Sequence, residues 1–264
     1  MQDTVVRYPR VLITLFSGLA MIVPADTWAF AVPQPQQELI ASKVAYVQLS
    51  AEEGSAEAQY LLGLMYVSGR FVNADKVLGV SWLKKSADNG SANAQKTLAD
   101  LAFEGKLIKR DLSLAEHWYL KLADKDRWAQ FRLGFIYAAG GDGVSRHCGK
   151  AVKYFTAAGD NVSMGNAAWI LATCPEKQFR DGEKAVQLAT DLLKTNEQDP
   201  TNLDNLAAAY AELGNFNEAV KAQRQAIAAL QADKGKIRDK EDEFKSRLRD
   251  YLQHKPYREI LPLD

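Results

Sequence analysis

The feature that most constrains the fold is a helical segment that occurs three times in the chain. Residues 55–70 read SAEAQYLLGLMYVSGR, residues 91–106 read SANAQKTLADLAFEGK, and residues 126–141 read DRWAQFRLGFIYAAGG. In the first copy small and apolar residues recur every four positions, which is the spacing of one face of an α-helix. The chain therefore carries at least three copies of one amphipathic helix.

Each copy is followed by a turn and a second helical stretch. Gly69, Gly105 and Gly141 are 36 residues apart, and glycine enters the left-handed conformation that ends a helix at little cost. Asp75 and Asp111 keep the same step, and an aspartate at the start of a helix accepts a bond from an unpaired backbone N–H. A lone helical pair cannot bury its apolar face, whereas stacked pairs bury a continuous core. The pattern therefore predicts a solenoid.

The pattern continues on both sides of the three copies. Residues 37–53 match the second helix of a unit, which predicts an N-terminal capping helix within residues 32–53. Beyond residue 160 the period shortens, because Ala151, Ala185 and Ala219 are 34 residues apart. Residues 162–230 are therefore expected to hold two more helical pairs.

The C-terminal residues 231–264 predict a second capping helix and a tail. Within 235–253 the apolar residues fall on one helical stripe, with charged residues elsewhere: Ile237, Phe244, Leu248 and Tyr251. One face of this helix is expected to pack on the last pair, and the other is expected to face water.

Two repeat families match these patterns. Residues 54–161 resemble Sel1-like repeats, as AEAQYLLGLMYVSGRFVNADKVLGVSWLKKSADNG illustrates. Residues 200–230 resemble a tetratricopeptide repeat, with pattern positions at Leu203, Leu206, Ala207, Tyr210, Gly214, Phe216, Ala219 and Ala226. Residues 167–189 look like a divergent repeat that often precedes such a unit in bacterial exported proteins. The resemblance implies an all-α, right-handed α-solenoid of Sel1-like units followed by tetratricopeptide-like units.

Three residues depart from the Sel1-like pattern. Gly79 replaces the usual alanine, Ala102 replaces a tyrosine, and His147 replaces the capping aspartate. These departures predict weaker helices locally rather than a different fold.

The first 31 residues form a separate segment. Arg7 and Arg10 precede the apolar run VLITLFSGLAMIV, and the small-residue pattern of Ala29 and Ala31 follows it. The run makes about 20 Å of helix, which is short of a hydrocarbon core of ~30 Å. We interpret residues 1–31 as a cleaved signal peptide, with an uncleaved membrane anchor as the alternative. The protein is then exported, periplasmic or secreted, with no membrane span after cleavage.

Charge and motifs limit the function classes. The chain has 33 basic and 33 acidic residues, whereas a nucleic-acid binder normally has a basic excess. No HExxH, GxSxG or phosphate-binding glycine-rich loop is present, and three histidines offer few candidates for catalysis. We therefore expect no enzyme, no cofactor, no metal site and no nucleic-acid partner.

The resemblance also implies where a partner would bind. In tetratricopeptide arrays the inner wall is formed by fixed positions around a buried leucine of each first helix. Aromatic and apolar residues at or near those positions predict a partner-binding groove: Tyr60, Leu64, Phe103, Trp128, Phe131, Phe135 and Trp169. Such a groove suits a peptide with apolar anchors. The alternative is that these side chains only pack between helices.

The two cysteines lie at helix ends that share one edge of the expected array. Cys148 begins the second helix of the third unit. Cys174 ends the first helix of the unit that follows. Their Cα atoms are then expected within the ~4.4–6.8 Å that a disulfide requires, and an oxidising compartment would permit the bond. The alternative is that Cys174 serves packing within the LATCP motif.

Together these observations predict a monomeric, non-catalytic scaffold or adaptor that binds a protein or peptide partner. Two alternatives stay open: a module that binds polysaccharide or peptidoglycan through the same aromatic residues, and a regulatory subunit of an envelope enzyme. The sequence does not identify the partner, because repeat arrays serve many functions.

Overall fold

The computed structural model describes residues 36–232 and 240–263. The predicted signal peptide lies outside these residues. The described residues contain these α-helices: α1 (Gln36–Glu52), α2 (Ala56–Ser68), α3 (Lys76–Asp88), α4 (Ala92–Glu104), α5 (Leu112–Leu122), α6 (Arg127–Ala139), α7 (Cys148–Ala158), α8 (Asn161–Thr173), α9 (Gly182–Leu193), α10 (Pro200–Glu212), α11 (Phe216–Ala232) and α12 (Glu241–Leu252). A short 3-10 helix, Lys177–Phe179, precedes α9.

The chain divides into two compact units, Met1–Ser42 and Lys43–Asp264. Of the first unit, only the beginning of α1 is described. In the second unit each helix from α2 to α12 packs against the next, and α8 also packs against α10. The even-numbered helices α2 to α10 are the first helices of successive pairs. The fold is an all-α repeat solenoid, as the sequence predicted.

The predicted capping residues define where the helices begin and end. The side chains of Ser55 and Ser91 each accept a hydrogen bond from the backbone N–H three residues later, at the starts of α2 and α4. Gly69 and Gly105 end these helices in the left-handed conformation. The third copy differs by one residue, because α6 ends at Gly140 rather than at the predicted Gly141.

His147 is a helix cap despite its departure from the aspartate pattern. Its imidazole Nδ1 accepts a hydrogen bond from the backbone N–H of Lys150, with 3.1 Å between the nitrogens. Asp75 and Asp111 make the equivalent bond to Leu78 and Leu114. His147 therefore makes the capping bond that the pattern assigns to aspartate, since a neutral imidazole nitrogen can accept it. The expected local weakening of the helix stays a prediction.

The glycine at position 79, where the Sel1-like pattern has alanine, also has a structural reason. It lies where α3 crosses α2, opposite Gly63, and a Cβ atom built on Gly79 would lie 2.8 Å from the Gly63 carbonyl oxygen and 2.7 Å from Val67 Cγ2. Real Cβ atoms do not approach backbone atoms so closely. The glycine therefore permits the close packing of α2 on α3.

We expect Gly79→Ala to lower the free energy of unfolding by about 1–2 kcal/mol. Overpacking costs ~1–3 kcal/mol, and a clash with backbone atoms belongs in the upper part of that range, about 2–3 kcal/mol. The better helix propensity of alanine returns about 1 kcal/mol of that cost. Gly165→Ala in α8 is the matched control, because its Cβ would meet no atom closer than 3.4 Å. Urea unfolding of both variants checks the prediction, which fails if Gly79→Ala is as stable as wild type.

The core of the larger unit is continuous from α3 to α8. One cluster of buried residues runs from α3 to α8, with Leu83, Leu98, Tyr119, Leu133 and Phe155 as large members. Smaller clusters surround α8 to α12. Within the described residues, no helix is both long and apolar enough to cross a bilayer.

Candidate partner-binding face

The first helices present equivalent positions side by side. Counted from each helix start, the fifth residues of α2, α4, α6, α8 and α10 are Tyr60, Lys96, Phe131, Gly165 and Asp204. The ninth residues are Leu64, Asp100, Phe135, Trp169 and Ala208. We call these ten residues the inner row.

Direct bonds link neighbouring first helices along this face. The Tyr60 hydroxyl lies 3.4 Å from the Thr97 hydroxyl, which joins α2 to α4. Asn205 Nδ2 donates to the Gly165 carbonyl, which joins α10 to α8, at 3.1 Å. The inner row therefore belongs to a face on which the first helices lie next to each other.

An aromatic patch lies where α4 meets α6. We call it the tryptophan patch, and it consists of five residues: Asp100, Phe103, Trp128, Phe131 and Arg132. The indole N–H of Trp128 donates to Asp100 Oδ1 at 2.8 Å, and the Trp128 ring stacks on Phe131 with 5.6 Å between centroids. The guanidinium carbon of Arg132 lies 4.2 Å from the Trp128 centroid and 4.4 Å from that of Phe103. The exposed indole is therefore held on several sides.

A buried hydroxyl fixes the carboxylate that holds the indole. Tyr119 donates to Asp100 Oδ1 at 2.5 Å, and burial together with this bond raises the pKa of Tyr119. Tyr119 therefore stays protonated and remains a donor. Asp100 accepts from both rings at once, which orients it toward Trp128.

The charges around the patch are paired. Lys96 lies 3.0 Å from Asp126, and Arg132 lies 3.7 Å from Glu104. Burial acts to raise the pKa of Asp126. The hydrogen bonds from Lys96 and from two backbone N–H groups of α6 outweigh it, so the pKa is lowered. Each of these two positive side chains thus has a negative partner.

The predicted groove residues differ widely in exposure. Trp128 is 40% exposed, whereas Tyr60, Leu64, Phe131 and Phe135 are half-buried. Phe103 and Trp169 are buried, at 6% and 8% exposure, so neither offers its ring to a partner in this conformation.

Phe131 and Phe135 also pack between helices. Both rings contact Phe155 of α7 edge to face, with centroid distances of 6.0 Å and 5.0 Å. Among the described ring contacts, none joins Trp169 to either phenylalanine. The structure therefore brings together Phe103, Trp128, Phe131 and Phe135, and it places Trp169 in a different environment.

Trp169 is covered by the C-terminal end of the chain, a contact that the sequence analysis did not anticipate. Its indole N–H donates to Glu259 Oε2 at 2.7 Å, and its ring centroid lies 5.9 Å from that of Tyr257. We call residues 257–263 the tail. The only sequence signal for this contact is the apolar character of Tyr257, Leu261 and Leu263 after the last helix.

Cys148 and Cys174 are joined in a disulfide, with 6.5 Å between their Cα atoms. Glu176 Oε2 lies 3.1 Å from the Cys174 sulfur, and Glu176 also pairs with Arg146. The hydrogen bond from Arg146 lowers the pKa of Glu176. In the described part of the chain, the two sulfurs and the Glu176 carboxylate are the cluster of side chains close enough together to hold a metal ion. The bonded sulfurs are not thiolates, so the group as built is a crosslink.

Comparison with known proteins finds matches to part of the array. A family model for the Sel1 repeat matches residues 56–91, 92–126 and 129–162. A Sel1 repeat protein from Oxalobacter formigenes superposes with a TM-score of 0.56 at 25% identity, covering 75% of this chain and 58% of that one. The protective antigen c5321 of uropathogenic Escherichia coli, which displays an SLR fold, gives 0.50 at 21% identity, covering 85% of this chain and 52% of that one.

The similar structures are longer than this chain, which limits the properties that can be carried over from them. The chain spans between half and two thirds of the length of each of these structures. No curated protein matches it. The three matched segments coincide with the helical pairs that begin at α2, α4 and α6. Residues 56–162 of the chain therefore contain three segments that match the Sel1 repeat.

Proposed function

We propose that the protein is a non-catalytic scaffold, exported from the cytoplasm, that binds a protein partner at the tryptophan patch. Sel1 repeat proteins generally act as scaffolds for protein interactions. The N-terminal sequence supports export, because residues 1–31 have the pattern of a signal peptide.

The observation that carries the proposal is that the Trp128 side chain is both exposed and held in place. The indole is 40% exposed, yet Asp100, Phe131 and Arg132 all contact it. A large aromatic side chain that is already ordered binds a partner with little further loss of conformational entropy. Tryptophan and arginine are also the residue types that contribute most often to binding energy at protein interfaces.

The charge pairing of the patch indicates the chemistry of the partner. Lys96 and Arg132 are already paired with Asp126 and Glu104. A partner therefore gains little from opposite charge and more from an apolar side chain placed against the indole. We expect binding that changes little between low and physiological salt, unlike binding that depends on charge attraction.

Trp128→Ala should weaken partner binding by about 30-fold, which corresponds to the ~2 kcal/mol typical of a central aromatic anchor. The full-length chain is cross-linked in cells, the captured protein is purified, and its affinity for wild type and variant is measured by titration. Tyr46→Ala is the matched control, because Tyr46 is 71% exposed and lies on α1. Equal affinities of Trp128→Ala and wild type for the partner would show that the partner does not bind at the tryptophan patch.

Trp128 is a better probe than the half-buried phenylalanines. A glutamate at Phe131 or Phe135 would place a carboxylate beside the buried ring of Phe155, which destabilises the helix pair itself. Loss of binding in such a variant would then reflect unfolding. Truncation of Trp128 leaves Asp100 with its Tyr119 bond, so the fold keeps its main contacts.

A polysaccharide or peptidoglycan ligand is the second candidate, because an exposed indole can also stack on a sugar ring. It predicts quenching of tryptophan fluorescence by glycan fragments in wild type and no quenching in Trp128→Ala. A regulatory subunit of an envelope enzyme is a special case of the protein partner, and identifying the captured protein distinguishes it.

A further inference from the structure

The tail follows a sharp change of chain direction after α12. His254 adopts a left-handed conformation, with φ of 59°, and its imidazole stacks on the Phe216 ring at 4.9 Å. Residues 255–263 then continue without regular secondary structure. From this turn the chain returns to α8 and α10, which precede it by about fifty to ninety residues.

Polar groups of α8 and α10 bind two consecutive residues of the tail. Glu259 donates its backbone N–H to the Thr173 carbonyl at 3.1 Å and accepts from the Trp169 indole at 2.7 Å. Arg258 donates to the Ala172 carbonyl at 3.2 Å and pairs with Glu212. The acceptors for Arg258 and Glu259 include carbonyls from the last turn of α8, which have no partner within the helix.

Apolar side chains flank these polar contacts. Tyr257 packs against the clusters around α8 and α10, and Leu261 packs against both the α8 cluster and the large core. Leu263 packs against the large core alone, so the tail runs from α10 toward the Sel1 units. Ile260 is 51% exposed, and Pro262 is also exposed. From residue 259 onward the side chains alternate as in an extended peptide, with 259, 261 and 263 toward the protein and 260 and 262 toward solvent, whereas Arg258 also contacts the protein.

The tail changes the burial of α8 relative to the other first helices. Every residue from 167 to 174 is buried, including Trp169 of the inner row. The equivalent residues of α2, α4 and α6, namely Leu64, Asp100 and Phe135, are only half-buried. Among the described residues, no segment that corresponds to the tail crosses α2, α4 or α6.

We propose that the face formed by α8 and α10 is a second peptide-binding site, which the chain fills with its own tail. The site takes an extended peptide with an arginine and a glutamate in succession, followed two residues later by an apolar side chain. Glu212 and the Ala172 carbonyl recognise the guanidinium, and the Trp169 indole recognises the carboxylate. A protein partner that carries this pattern displaces the tail. This site is distinct from the tryptophan patch and does not depend on the function proposed for it.

The contacts of the tail are of the kind that a competing peptide can replace. Among the described backbone bonds, Glu259 to Thr173 is the one that joins the tail to a helix. The remaining contacts are made by side chains of the tail, and an incoming peptide would supply the same groups. The covalent link keeps the tail at a high local concentration, so a free peptide binds only weakly while the tail is seated.

A labelled peptide tests the proposal directly. The peptide KPYREILPL, residues 255–263, is titrated by fluorescence anisotropy into the full-length wild-type chain and into full-length Glu259→Ala/Leu261→Ala. We expect the double variant to bind at least about ten times more tightly than wild type, because its own tail no longer competes. The control peptide KPYERILPL, with arginine and glutamate exchanged, should bind neither protein.

Two results would overturn the proposal. One is a folded double variant that fails to bind KPYREILPL. The other is equal binding of the two peptides, which would show that the site does not recognise the Arg–Glu order.

Hydrogen exchange of the wild-type chain provides a second measurement that requires no variant. If the tail opens on its own, the Glu259 amide exchanges much faster than the amides of α8 and α10. If the Glu259 amide exchanges only when the amides of α8 and α10 exchange, the tail is a permanent part of the core. The proposed site would then be excluded.

Discussion

Asp204→Ala should lower the free energy of unfolding by about 3–5 kcal/mol, because it leaves a buried guanidinium without its carboxylate. Arg247 of α12 is 5% exposed, and its Nε and Nη2 atoms each lie 2.9 Å from Asp204 of α10. Burial acts to lower the pKa of Arg247, but Asp204 outweighs it and the pKa is raised, so the guanidinium stays charged. Glu243 lies 3.8 Å from Arg247 but is largely exposed, and it replaces little of the lost interaction.

A double variant separates the cost of a broken pair from the net contribution of the pair. Asp204→Leu with Arg247→Met removes both charges and keeps apolar volume, so we expect it to be within about 1 kcal/mol of wild type or more stable. Gln223 loses one acceptor in both variants and keeps its bond to the Phe244 carbonyl. Chemical unfolding of the single and double variants gives both values. A loss below ~1 kcal/mol for Asp204→Ala would mean that the site relaxes to admit water.

Asp204 and Arg247 also show the limit of sequence analysis. The apolar stripe of the last helix was predicted, and Phe244 and Tyr251 are buried as expected. Arg247 lies between them and is equally buried, although a charged residue is expected to face water. Its partner lies 43 residues earlier in the chain, and helical periodicity contains no information on so distant a contact.

The helices themselves were predictable because their signals are local. Ser55, Asp75 and Gly69 act within four residues of their own positions, and each works in the structure as its residue type suggests. His147 departs from the aspartate pattern yet caps its helix, because a cap requires only an acceptor atom in the right place. The spacing of the repeats then fixed the order of packing.

The exposure of the candidate site residues was not predictable in the same way. Phe135 and Trp169 occupy equivalent positions in α6 and α8, yet Trp169 is buried because the tail crosses it. Phe103 is buried, and Arg132 of α6 lies over its ring. Both outcomes depend on segments outside the repeat unit, so a pattern derived from one unit cannot distinguish an open position from a covered one.

Reduction of the disulfide should lower the free energy of unfolding by about 3.5 kcal/mol. Cys148 and Cys174 are 26 residues apart, and closing a loop of that length removes this much conformational entropy from the unfolded chain. Thermal unfolding is compared with and without reductant. Cys148→Ser/Cys174→Ser is the control, because it should resemble the reduced protein and show no response to reductant.

The same bond tests the proposed export. A disulfide persists in an oxidising compartment and is reduced in the cytoplasm. Protein isolated from its native compartment under acid quench should therefore leave Cys148 and Cys174 unreactive toward a thiol-blocking reagent until it is reduced. Full labelling before reduction would contradict export to an oxidising compartment, whatever the stability difference measured in vitro. Agreement of both measurements would mean that the last Sel1 unit is stabilised by a crosslink that forms only after the chain has left the cytoplasm.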